Sequence, residues 1–372
     1  MKQRKSQRIA LILFTLCSVL IGALGGMWVT RYAGSQTGGS LPALLYAIFC
    51  MVAAYYLSVV IHESGHLVMG LRTGYSFVSF RIGSLTLIRQ EGKLRLKRFR
   101  VAGTGGQCIL TPPETDRPEN APFTLYYLGG GLFNLLTAAV VFPPALLLSN
   151  FWVRLPLLVL GVVSLYQGAF NLIPLNLQIP NDGYTLRLLR RSPAERAAVY
   201  RQLKANGLLY GGMTPAELPE TLLSPEPPDR SGVFTSAEIL TRGSVAVDRH
   251  DFAAAEQIFT DCLQSGMLLP IYENECRCEL LFCKLMNGAP AEEIEALYTK
   301  QLRTYVKRAG QTQIAKRRLL YAWEKLFRKD EAAAQREYEA ARKMSTVYPC
   351  PGELKAELAL MAFLAGDEGE SP

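Results

Sequence analysis

His62 and His66 stand four residues apart with Glu63 between them, in the order His62-Glu63-Ser64-Gly65-His66. On an α-helix this spacing puts both imidazoles on one face, about 6 Å apart along the axis. Two such nitrogens can hold one Zn2+, and the intervening carboxylate can serve as a general base toward water. The chain has three His in all, so two are spent on this pattern. The alternative is a pair of capping or core histidines. The surroundings argue against it. The pattern lies in a run from about Leu41 to Leu71 that carries no other charged residue. Ionisable groups at membrane depth are costly, and they mark functional sites by default.

The elements that position this cluster follow from the apolar pattern. The 372 residues are 49% hydrophobic, which fits a membrane part joined to a soluble part. Four segments approach the roughly 20 residues needed to span a bilayer. They are Ile9 to about Val29, Leu41 to Leu71, about Leu125 to Leu148, and about Leu155 to Leu175. The first lacks a small-residue cleavage site and reads as an anchor rather than a removed signal. Lys2, Arg4, Lys5 and Arg8 precede it. Nine basic residues between Arg72 and Arg117 follow the second segment, and Arg187, Arg190 and Arg191 follow the fourth. The two other short loops hold only Arg31 and Arg154. The positive-inside rule then predicts a multi-pass cell-membrane protein with both termini cytoplasmic. The net charge of +8 is accounted for by the anionic inner leaflet and calls for no nucleic acid. With the second helix ending near Arg72, His66 lies about 9 Å and His62 about 15 Å inward, in the cytoplasmic third of the bilayer.

Catalytic zinc takes three protein ligands and keeps a position open. A third candidate appears where the fourth segment ends, in Asn171-Leu172-Ile173-Pro174 followed by Pro180-Asn181-Asp182-Gly183. The fourth segment runs in the same direction as the second, so Asp182 reaches the depth of His62 and His66. The prolines break the helix there, and such backbone is tolerated at membrane depth only where it lines protein or water. Asn-Asp-Gly is also ordinary turn chemistry. Glu91, Glu114, Asp116 and Glu119 in the basic loop compete with Asp182 for this role.

The His-Glu-x-x-His span, the run Gly129-Gly130-Gly131-Leu132-Phe133-Asn134 in the next span, and the Asn-x-x-Pro…Asp-Gly after it resemble the site-2 protease family. These are intramembrane zinc metalloproteases, and the resemblance covers about residues 45–190. It implies His62, His66 and Asp182 as zinc ligands and Glu63 as general base and later proton donor. It also implies Asn134 near the active site and Asn171 as the residue that opens the Asp-bearing motif. Two features depart from the family pattern. Gly131 stands where the family often has Pro, and the stretch from Pro174 to Asp182 is longer than the common form. Asn134 has two readings, a donor to the scissile carbonyl or its oxyanion and a polar contact between helices that glycines bring close.

Residues from about Phe77 to Val101 alternate apolar and polar around Gln90-Glu91-Gly92-Lys93, the pattern of a β-hairpin. Such an edge beside a protease site can pair with an unwound substrate, and Gln107 in the following strand joins Asn134 and Asn171 as a substrate-facing candidate. After Asp182 the composition turns polar. Arg187 to about Gly207 reads as a basic helical stretch and Leu218 to Asp229 as Pro-rich and polar, within a linker region 193–230, and residues 231–372 read as a cytoplasmic helical domain. Gly243, Ala255 and Phe259 fit the spacing of a tetratricopeptide-like helix pair, a module for a protein partner. The eight cysteines are expected to stay reduced and to pack; His250 is expected at the surface.

The expected architecture is an α-helical membrane protein with four spans, a membrane-associated β-hairpin and a cytoplasmic all-α domain. The N-terminal span and outer loop take residues 1–40, and the metalloprotease core takes 41–192. The expected activity is zinc-dependent hydrolysis of a peptide bond in a transmembrane or signal-peptide-derived segment near the cytoplasmic face of the bilayer. The rival is a non-catalytic membrane scaffold that keeps the fold and recruits partners. Glu63 argues against it, since a scaffold needs no base.

Overall fold

The computed structural model describes residues 40–90, 92–99, 104–175, 180–226, 228–264, 266 and 268–366, with isolated positions 16, 27 and 31. The expected first span, Ile9 to Val29, lies outside the described residues except for Leu16 and Met27. The chain divides into two compact units. One comprises residues 1–73 and 122–191, the other residues 74–121 and 192–372.

The first unit is helical. Helix α1 is Ser40–Arg72, α2 is Phe123–Leu147, α3 is Phe151–Leu172 and α4 is Asp182–Arg191. Among the described residues, α1, α2 and α3 are long and apolar enough to cross a membrane. Their exposed side chains include Leu45, Phe49, Val140 and Leu165. An apolar exterior around long helices suits lipid better than water. Only Leu148–Asn150 separates α2 from α3, and the Asn150 side chain caps α3 by accepting from the Trp152 N–H at 2.9 Å. Helix α3 stops at Leu172, two residues before Pro174, as the helix-breaking reading requires. Gly65 on α1 and Gly129 on α2 bring the two backbones together: a Cβ at Gly65 would fall 2.2 Å from the Gly129 carbonyl oxygen. Small residues at a crossing permit this approach, and here it occurs at the level of the His-Glu pattern.

The second unit joins a sheet to a helical array. Strands β1 (Ser76–Ile82), β2 (Leu85–Gln90), β3 (Lys93–Arg98) and β4 (Gly106–Thr111) form one antiparallel sheet in the order β3-β2-β1-β4. The expected hairpin is thus the β2–β3 arm of a larger sheet. Its turn contains Gly92 at φ +74, and Gly83 at φ +59 makes the β1–β2 turn. The sheet packs within this unit: the Lys204 ammonium of α5 (Pro193–Tyr210) pairs with Glu114, and Lys97 donates to the Tyr348 carbonyl at 2.9 Å. In the region 193–230 the expected basic helical stretch is α5, while the Pro-rich run read as a linker is packed. Leu218 and Leu223 are buried, and the Ala216 N–H donates to Asp248 at 2.7 Å. The leucines among the prolines supply the apolar surface that a linker lacks.

Among the described residues eight further α-helices follow in this unit: α6 Val233–Asp248, α7 Phe252–Gln264, α8 Pro270–Met286, α9 Ala291–Leu297, α10 Lys300–Ala309, α11 Ile314–Ala322, α12 Glu331–Met344 and α13 Pro351–Ala365. Gly243 on α6 meets the Phe259 ring on α7, where a Cβ would stand 2.4 Å from the ring. That is the expected small-against-aromatic contact, and one such pair does not make a repeat array. Seven cysteines are buried and unpaired in disulfides, as expected, while Cys17 lies outside the described residues. His250 is exposed, stacks with Phe252 and meets Phe363 at a tilt.

Helices α8, α11 and α13 enclose an ion network. Arg318 and Lys316 are each 1% exposed. Arg318 holds Glu279 and Glu357, and Lys316 holds Glu275 at 2.7 Å. With Glu353, four carboxyls face two cations, so burial disfavours full ionisation. Burial pushes the Glu357 carboxyl from 4.5 up to about 7 against the pull of Arg318. Between those values the folded protein keeps a proton that the unfolded chain has lost, so stability falls as pH rises through the window. Glu357→Gln is expected to flatten the dependence of thermal unfolding on pH between about pH 5 and 7. A variant with the wild-type slope would place the titration on another group.

Candidate metal centre

Helix α1 presents His62 and His66 one turn apart, and α4 begins with Asp182. The three side chains converge. His62 Nε2 and His66 Nε2 are 3.2 Å apart, and Asp182 Oδ2 is 3.3 Å from each. These three form the cluster able to hold a metal ion among the described residues. Asp182 Oδ2 is buried and makes no hydrogen bond of acceptable geometry, although both nitrogens stand close.

The edges of the triangle test its fit to a cation. In a tetrahedral site with bonds of about 2.0–2.1 Å, ligand atoms stand about 3.3–3.4 Å apart. The observed 3.2, 3.3 and 3.3 Å match that spacing. The donor set, two imidazoles and a carboxylate, leaves one tetrahedral corner vacant.

Local structure aims each ligand. His66 Nδ1 lies 2.7 Å from the Tyr126 carbonyl oxygen of α2. That acceptor places the ring proton on Nδ1 and leaves the Nε2 lone pair toward the triangle. Gly130, one turn further along α2, leaves room for both rings: a Cβ there would fall 2.5 Å from His66 Nε2 and 2.6 Å from His62 Cε1. Glu63 is buried beside His62 on α1.

Asn181 places Asp182. Its amide nitrogen donates to the Phe170 and Ile173 carbonyls at 2.7 and 2.8 Å, and its oxygen accepts from the Tyr184 and Leu175 N–H groups at 2.9 and 3.2 Å. One side chain thus caps α4 and ties it to the end of α3. Asn181→Ala removes all four bonds and leaves the Phe170 and Ile173 carbonyls without this donor. It is expected to cost about 2–4 kcal/mol of stability, seen in thermal unfolding of the metal-free protein, and to weaken metal uptake. Unchanged unfolding would mean that the backbone holds α4 without it.

The other expected site residues divide. Asn134 is fully buried against His62 and Ser58, on the Nδ1 side of the ring. That position suits holding the imidazole rather than meeting a substrate carbonyl. Asn171 donates to the Gln167 carbonyl within its own helix at 3.0 Å. Gln107 is exposed on β4, in the second unit. Of the competing acids, Glu114 pairs with Lys204, Glu91 lies outside the described residues, and Asp116 and Glu119 are not in the cluster. The sequence reading missed Tyr126, Asn181, Ser58, Gln167 and the specific role of Gly130. Ser58 had a signal, since it lies four residues before His62 on the same helix face.

Comparison with protein-family models, with curated proteins and with solved structures found no match.

Proposed function

We propose that the chain is an intramembrane zinc metalloendopeptidase of the site-2 type. It hydrolyses a peptide bond in a transmembrane or signal-peptide-derived segment near the cytoplasmic face of the bilayer. The observation that carries this reading is the ligand triangle with edges of 3.2, 3.3 and 3.3 Å, set in a span-length apolar helix with a buried Glu beside one ligand. His62 Nε2, His66 Nε2 and Asp182 Oδ2 would hold Zn2+. When bound, the ion polarises the scissile carbonyl and makes water more acidic. Glu63 takes the proton of the attacking water and later gives it to the leaving amine. Tyr126 and Gly130 keep the rings oriented, and Asn181 keeps Asp182 in reach. The second unit serves as the site for a protein partner on its helical array.

The test uses tagged single-span proteins co-reconstituted in vesicles with the purified full-length chain. Cleavage that stops on chelation and returns with added zinc supports the reading. A chain that retains no zinc and cleaves nothing in the panel would move the assignment to a membrane scaffold.

A further inference from the structure

His66 has a backbone carbonyl to receive its Nδ1 proton, and His62 does not. The group that meets His62 Nδ1 is the Asn134 amide, whose Nδ2 lies 3.4 Å away. Asn134 in turn faces Ser58, with its Oδ1 3.5 Å from Ser58 Oγ. Ser58 Oγ donates to Gln167 Oε1 at 3.0 Å and accepts from Ser164 Oγ at 3.4 Å. Asn134, Ser58 and Ser164 are fully buried. Three helices, α1, α2 and α3, thus contribute to one polar chain that ends on a candidate ligand.

An imidazole that ligates through Nε2 keeps its proton on Nδ1 and needs an acceptor there. The two ends of an Asn amide exchange by a half turn and have nearly the same shape. With nitrogen toward the ring, the amide donates to Nδ1. The proton of neutral His62 then falls on Nε2, which faces Asp182 Oδ2 at 3.3 Å and cannot ligate. With oxygen toward the ring, Nδ1–H donates to the amide and Nε2 is free. The amide nitrogen then faces Ser58 Oγ, which can accept because its own proton goes to Gln167. The first setting needs the Ser58 proton turned to Asn134 Oδ1, the second leaves it on Gln167 Oε1, and the two differ in which ring nitrogen carries the proton.

Resting on the metal-centre reading above, we infer that Asn134 is a positioning residue for His62. A cation in the triangle selects the setting in which the amide oxygen faces the ring, and Ser58 and Gln167 support that setting from α1 and α3. Metal uptake and the amide rotamer are therefore linked, because a cation binds only one of the two tautomers.

The test is zinc affinity of the full-length protein in lipid nanodiscs, measured by chelator competition. Asn134→Leu keeps the volume and removes the acceptor, and it is expected to weaken zinc binding about 10–100-fold. Asn134→Asp keeps an acceptor and is expected to bind close to the wild type. Ser58→Ala removes the second link and should fall between them. Histidine-selective 15N spectra give a readout that does not depend on any variant, since the chain has three His. The wild-type His62 ring is expected to carry its proton on Nε2 without metal and on Nδ1 with zinc. Zinc binding by Asn134→Leu equal to the wild type, or by Asn134→Asp as weak as Asn134→Leu, overturns the inference. So does a His62 proton that stays on one nitrogen in both states. A wild type that takes up no zinc fails differently, because it removes the metal centre itself.

Discussion

Glu63→Gln is expected to slow peptide hydrolysis by roughly 10²–10⁴-fold while leaving zinc content and affinity unchanged. The triangle is made by His62, His66 and Asp182, so the substitution removes no ligand. Gln is close in size and shape to Glu, so the buried space beside His62 stays filled. What disappears is the only carboxylate in the His-Glu pattern, and with it the base proposed to accept the proton of water. Initial cleavage rates of a single-span substrate in vesicles, set beside the metal content of the same preparations, separate the two effects. Equal rates would mean that another group takes the proton. Loss of zinc together with activity would mean that Glu63 holds the site together rather than acting in the reaction.

The parts of this site that could be read from the sequence are those encoded locally. His62, Glu63 and His66 are legible because helical periodicity fixes their relative placement before any tertiary contact exists. Asp182 was legible as a depth argument. Its approach to 3.3 Å from both imidazoles depends on Asn181 clamping α4 to α3, a contact between segments that periodicity does not report. The spans at Leu41–Leu71, Leu125–Leu148 and Leu155–Leu175 correspond to α1, α2 and α3 within a few residues, since continuous apolar length is a strong signal. The sheet was half legible. Alternation shows the arm from β2 to β3, but β4 pairs with β1 rather than with β3, its neighbour in sequence, and such non-local pairing leaves no periodic trace. The run from Leu218 to Asp229 misled because Pro-rich composition suggests a linker, while Leu218 and Leu223 decide the packing. Asn134 illustrates a further limit. Its presence in a Gly-rich span leaves two readings open, and which face of His62 it meets depends on how α1 and α2 cross.

Gly130→Ala is expected to empty the metal centre without altering a ligand. The added Cβ would stand 2.5 Å from His66 Nε2, 2.6 Å from His62 Cε1 and 2.7 Å from His62 Nε2, all within contact distance. Neither ring has a low-cost retreat. His66 is tied through Nδ1 to the Tyr126 carbonyl at 2.7 Å, and His62 is backed by Asn134. Either the rings rotate off the triangle or α2 moves away from α1, and the second course is opposed by the backbone contact of Gly65 with Gly129. Zinc affinity is therefore expected to fall by at least about 10–100-fold, the range typical of a lost supporting contact, and proteolysis with it. The helix itself argues the other way, since Ala is favoured over Gly in a helix interior by roughly 0.5–1 kcal/mol. The metal-free variant should then keep its helix content while losing its metal, a combination that general unfolding cannot produce. Gly161→Ala provides the contrast. It crowds the Phe142 ring, which lies about 18 Å along α2 from Gly130 by helical rise, and should leave zinc affinity in place. Zinc titrations of both variants decide the matter. Wild-type affinity in Gly130→Ala would show that the imidazoles pivot freely and that the triangle is not held in advance of the metal.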